Sequence, residues 1–146
     1  MEQRNTFMLL GLLSGVVYAF FGILTILTFF GVVSFALISA DVLTGLMILI
    51  VGIVFIEGAK ELRESVSDAI PFLMVGILLA GVIAGLQIAI LFSNALGWLL
   101  ALEDWTDWQV ASDFTQAIWV FPAVVPLLVA MYPFSKRVVK KPKEVK

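Results

Sequence analysis

From Ala69 to Leu102 the chain carries no ionisable side chain, and its central stretch, Pro71 to Asn94, reads PFLMVGILLAGVIAGLQIAILFSN. A run of that length without charge is a membrane-spanning helix, since about 20 apolar residues cross a bilayer core. At 100° per residue Gly76, Ala80, Ala84, Gln87 and Asn94 share one stripe, while Leu, Ile, Val, Met and Phe fill the other faces. Small residues admit a second backbone, and the two amides need partners that lipid does not supply. This segment is therefore the central packing helix of a polytopic all-α membrane protein.

Composition agrees. The 146 residues are 62% hydrophobic and 14% charged, against roughly 45–50% and 25% for soluble domains. With no Cys and no His, thiol nucleophiles, disulfides, Cys/His zinc sites and imidazole bases are excluded together. The basic residues form a short tail rather than a folded face, which argues against nucleic acid as a partner.

Three further apolar segments surround the central one. An uncharged run from Asn5 to Ala40 is more than twice the apolar length of a signal peptide and too long for one crossing. A first helix over about 7–31 is expected to stop at Gly31, with 32–40 at the interface. Asp41 is the natural N-cap of a second helix over 42–62, in which Gly45, Gly52 and Ala59 recur at heptad spacing. The third helix is expected over 70–94, capped by Ser67 or Asp68 with Pro71 in its first turn, and an interfacial segment should follow over 95–108. A fourth helix is expected over 114–134, kinked by Pro122 and Pro126, which free the carbonyls of Ile118 and Pro122, and ended by Pro133. Residues 1–135 thus form one four-helix transmembrane domain and 136–146 a basic tail suited to anionic lipid head groups.

Charge gives the orientation. Every Lys and Arg lies near the N-terminus (Arg4), in the link between the second and third helices (Lys60, Arg63) or in the tail; the other two links hold Asp41, Glu103, Asp104, Asp107 and Asp113 and no base. The positive-inside rule places both termini in the cytoplasm, and Trp98, Trp105 and Trp108 mark the outer interface. Shifting the chain by 65 residues pairs Phe7 with Phe72, Gly11 with Gly76 and Ile23 with Ile88. A parallel duplication of a helical hairpin explains this; the ease with which apolar sequences match explains it too.

Four features are candidates for function. Gly11, Gly15, Tyr18, Gly22 and Thr25 share a face of the first helix; if it meets the stripe on the third, Tyr18, Thr25, Gln87 and Asn94 form a polar intramembrane seam, read either as helix–helix hydrogen bonding or as a permeation path. Glu57 is the most membrane-proximal charge, with Lys60 and Glu61 at i+3 and i+4. The outer acids match no cation-loop spacing, so neither metal nor cofactor is expected. Gly11, Gly15, Gly45, Gly52, Gly76, Ala80 and Ala84 are the helix-packing positions. With no nucleophile–base pair, metal-ligand set or nucleotide loop, the chain reads as non-catalytic: an accessory subunit of a larger membrane complex or a self-associating protein, the alternative being a small oligomeric transporter or channel.

Overall fold

The computed structural model describes residues 2–35 and 37–139, with side chains over 4–35 and 37–132. Three long helices, α1 (Glu2–Phe29), α2 (Val42–Glu61) and α3 (Val66–Leu99), precede a broken C-terminal arm. All three are long and apolar enough to cross a membrane. The arm consists of α4 (Val110–Asp113), α5 (Gln116–Trp119), a 3₁₀ turn (Phe121–Val124) and α6 (Val125–Val139).

The first helix stops for the reason its sequence suggests. Gly31 takes a φ of 71°, and the N–H groups of Gly31 and Val32 donate to the carbonyls of Thr28 and Leu27. Those paired bonds close a helix through a left-handed residue that only glycine adopts without strain. Asp41 caps α2, accepting from the Leu43 N–H at 3.0 Å and from the Thr44 hydroxyl.

The helix α3 departs from expectation at both ends. Its N-cap is Ser65 rather than Ser67 or Asp68, so Pro71 falls in the second turn. The carbonyl that Pro71 leaves unbonded belongs to Ser67, which is exposed, and water meets the need that an N–H would have met. At the other end the helix continues through Asn94 to Leu99, so the first part of the expected interfacial segment is regular helix. It ends at Ala101, whose φ of 51° accompanies a bond from the Leu102 N–H to the Gly97 carbonyl at 3.1 Å.

The fourth helix is broken rather than simply kinked. The 3₁₀ turn contains Pro122, and the Pro122 carbonyl, orphaned by Pro126, accepts from the Val125 N–H. Tightening to i→i+3 bonds thus absorbs the missing donor. Pro133 does not end the arm, since α6 runs to Val139; the remaining tail residues, 140–146, lie outside the described residues.

Packing begins with α1 against α2, antiparallel and nearly backbone to backbone. A Cβ built on Gly52 would sit 2.5 Å from the Ala19 nitrogen, and one on Gly22 would sit 2.6 Å from the Leu49 nitrogen. Gly15 and Gly45 face the partner helix in the same way. The third helix meets the other face of α2, where the Phe55 ring lies over Gly76. The arm then returns along both α1 and α3, and Phe55, Ile48, Leu73, Val124 and Leu127 form the buried centre. All seven expected packing positions are buried. Of the pair that the 65-residue shift aligns, Gly76 faces Phe55 of α2, while Gly11 faces Leu73 of α3 and Ala59 of α2.

A methyl group at Gly52 has nowhere to go but into the backbone of α1. Gly52→Ala is therefore expected to destabilise the fold by about 1–3 kcal/mol. Gly85→Ala, at a position where an added Cβ meets nothing within 4 Å, is expected to be neutral or to stabilise by up to about 1 kcal/mol through helix propensity. Thermal unfolding of the two variants in the same detergent checks the contrast.

Candidate functional site: a polar clasp at the loop end

The polar residues inside this apolar protein gather where α1 and α3 end and the arm begins. Ser14, Phe21 and Thr25 lie on one face of α1, at spacings of seven and four residues, and all three meet the arm. The Ser14 hydroxyl donates to the Ala123 carbonyl at 2.9 Å. Phe21 and Trp119 pack edge to face with centroids 4.7 Å apart. Thr25 accepts from Gln116.

Gln116 is the centre of the first group and has no exposed surface. Its Nε2 donates to Thr25 Oγ1 at 3.0 Å and to Ser39 Oγ at 2.9 Å, while its Oε1 accepts from the Ser39 backbone N–H at 3.0 Å. One amide thereby fastens the end of α1, the 30–41 loop and the start of the arm. Thr25 Oγ1 passes its own proton to the Phe21 carbonyl at 2.7 Å, so the Gln116 and Thr25 side chains have their hydrogen-bonding capacity used. A buried amide with every donor and acceptor engaged fixes geometry rather than leaving a group free to react.

Asp113 is the centre of the second group. Its Oδ2 accepts from Asn94 Nδ2 at 2.8 Å and from Trp108 Nε1 at 2.7 Å. Asn94 Oδ1 in turn accepts from Trp105 Nε1 at 3.0 Å. Gly97 makes room for that indole, since a Cβ there would lie 2.9 Å from the Trp105 ring. Gln87 reaches the Asp113 carbonyl at 3.4 Å, a long bond. Neutral donors hold the partly buried carboxylate, and among the described residues no Lys or Arg forms an ion pair with it. Among those residues, too, no three carboxylates come together as metal ligands would.

The expected seam is divided between different interfaces. The glycine face of α1 turns mainly to α2, and at Gly11 it also reaches α3, where an added Cβ would lie 3.1 Å from Leu73; Thr25 joins Gln116, and Gln87 and Asn94 join Asp113. Tyr18 sits apart from both groups, only 2% exposed, with its ring edge-on to Phe55 at 6.0 Å and, among the described residues, no hydrogen-bond partner for its hydroxyl. Glu57 pairs with Lys60 at 2.6 Å on the exposed surface of α2. Exposed pairs of this kind contribute little to stability. Sequence reasoning missed Ser14 and Gln116 and took Asp113 for a loop charge. A glutamine one step inside an apolar run, and the Ser14–Phe21–Thr25 spacing, were the available signals.

Comparison with known proteins places this arrangement. The model of the MJ0565 integral membrane domain matches residues 2–133, which takes in all three long helices, both polar groups and the broken arm as far as the middle of α6. The chain belongs to that family. A relative from Methanocaldococcus jannaschii, Uncharacterized protein MJ0565, is 32% identical over 135 residues, which cover 88% of this chain and 92% of the relative. No solved structure matches the chain. This family member is thus a multi-pass integral membrane protein, and its helices contact the lipid bilayer.

The two polar groups make separable predictions. Gln116→Leu strands the Ser39 N–H and is expected to cost about 1–3 kcal/mol in unfolding free energy. Asp113→Ala releases the Trp108 indole and takes from Asn94, the acceptor of Trp105, its own partner; tryptophan emission should shift to the red and the 100–115 loop should become the first site of limited proteolysis, with the α1–α2 pair intact.

Proposed function

We propose that this protein is a non-catalytic component of a membrane assembly, either an accessory subunit of a larger complex or a self-associating protein, and that α3 is its assembly face. The observation that carries the reading is Gly85. Glycine within a helix costs about 1 kcal/mol relative to alanine, and an added Cβ at Gly85 would meet nothing inside the chain. Gly81, Gly85 and Ala89 recur at four-residue spacing on α3, a pattern that lets a second helix approach closely. Only 17% of the apolar window of α3 is buried, against 39% for α2. The hydroxyls of Ser14 and Thr25 bond to backbone carbonyls rather than to a general base, which supports a non-catalytic role.

The reading includes four crossings with both termini cytoplasmic. The arm runs back along α1 and α3, with Gln116 bonded near the end of α1 and Ala123 bonded to Ser14, and its apolar part, Gln116–Tyr132, spans about 26 Å at 1.5 Å per residue. Arg4, Lys60 and Arg63 lie at the end of the bundle that carries the termini and the five link acids at the other, as the positive-inside rule requires.

One observation favours the transporter alternative. The Tyr18 hydroxyl is buried midway along α1 without a partner, and such groups cost free energy unless a passing ligand uses them.

Native mass spectrometry of the complex extracted in mild detergent tests the assembly reading. Wild type is expected to emerge with other polypeptides in fixed ratio or with copies of itself. Gly85→Leu should emerge alone with its thermal stability unchanged; an assembly that survives this substitution overturns the proposal. Tyr18→Phe should leave assembly and stability intact, whereas loss of solute flux in liposomes on that change would establish the transporter instead.

A further inference from the structure

At the end of the bundle that carries the termini, the surfaces of α1 and α2 part to leave a groove of about 70 Å³ lined by Met8, Leu9, Leu12, Ala59, Lys60 and Arg63. Its walls are apolar along α1, where Leu9 is 65% and Leu12 42% exposed. Its mouth is cationic. Arg4 stands one turn before Met8 on the same face of α1 and adds a third positive charge above the groove. The nearby acids do not line it: Glu57 already engages Lys60, and Glu61 and Glu64 fall outside the lining. Among the described residues neither Arg4 nor Arg63 has an ion-pair partner.

A hydrocarbon-lined cleft descending from a ring of exposed cations has the chemical profile of a phospholipid, with the chain below and the phosphate above. We propose that this groove binds one anionic phospholipid, its phosphate held by Arg63 with Arg4 alongside, and its acyl chain laid against Leu9 and Leu12. Guanidinium groups suit the role because their forked donors match phosphate oxygens, and basic residues at a membrane end attract anionic head groups. None of its residues belongs to the basic tail beyond residue 135, and the proposal rests on the membrane character of the family rather than on the assembly reading.

The test reconstitutes the full chain in nanodiscs of mixed phosphatidylglycerol and phosphatidylcholine, extracts it gently and counts retained lipids by native mass spectrometry. Wild type should retain one phosphatidylglycerol in preference to phosphatidylcholine. The Arg4→Gln, Arg63→Gln pair should reduce that preference about tenfold or more, and Leu12→Trp should lower retention with every charge in place. Lys136→Gln with Arg137→Gln should change nothing. The proposal fails if the preference survives the Arg4/Arg63 pair, or if the tail variant abolishes it. It also fails if inorganic phosphate displaces the lipid at equal concentration, which identifies a free anion as the ligand. A disulfide between copies of Leu9→Cys in native membranes would show that a second chain covers the groove.

Discussion

The close approach of α1 and α2 is the contact on which the rest of the bundle depends. With lipid on the outside there is little hydrophobic force to drive two apolar helices together, so the gain comes from van der Waals packing at short range. Glycines at 15, 22, 45 and 52 permit that range by removing every Cβ that would stand between the backbones. Once the pair is set, the opposite face of α2 presents Phe55 to α3, and the adjacent face of α1 presents Ser14, Phe21 and Thr25 to the arm. One helix face per neighbour is enough to arrange all the segments.

Hydrogen bonds then finish what packing begins. The arm is poor in glycine and broken by proline, so it cannot dock by close backbone contact along its length. It is held instead by a few directional bonds, at Gln116 and Asp113 where it starts and at Ala123 about two turns further on. In a membrane each such bond averages about 0.6 kcal/mol, modest singly, yet each removes a polar group that lipid would penalise. Their concentration at one end leaves the other end of the arm, among the described residues, to pack through apolar side chains such as Leu127 and Met131.

Much of the fold was legible because its signals are local. Uncharged runs mark the apolar helices, Gly31 and Asp41 punctuate the first loop, and heptad glycines mark a seam. The partners were not legible, because a stripe of small residues says that something comes close without saying what. The glycines of α1 could have faced α3 as readily as α2, and choosing wrongly joined Tyr18 to Gln87 in a seam that the packing divides. The extension of α3 past Asn94 was hidden for another reason. It ends just before Ala101, a residue with no preference for the left-handed region, so its local sequence does not mark the stop. The clasp was half legible: its residues stood out as polar groups among apolar ones, but their pairing spans up to 109 positions of sequence.

The unequal lengths of neighbouring helices have a consequence for the surrounding bilayer. At 1.5 Å per residue, the 20 residues of α2 span about 30 Å and the 34 of α3 about 51 Å. The first matches a typical hydrocarbon core, and the second exceeds it unless the helix tilts or its end rises out. Lipids beside α2 therefore meet a wall of their own height, while those beside α3 meet a taller one. A protein with one short and one tall side deforms the membrane unevenly around its circumference, and that asymmetry couples its orientation and its neighbours to local bilayer thickness.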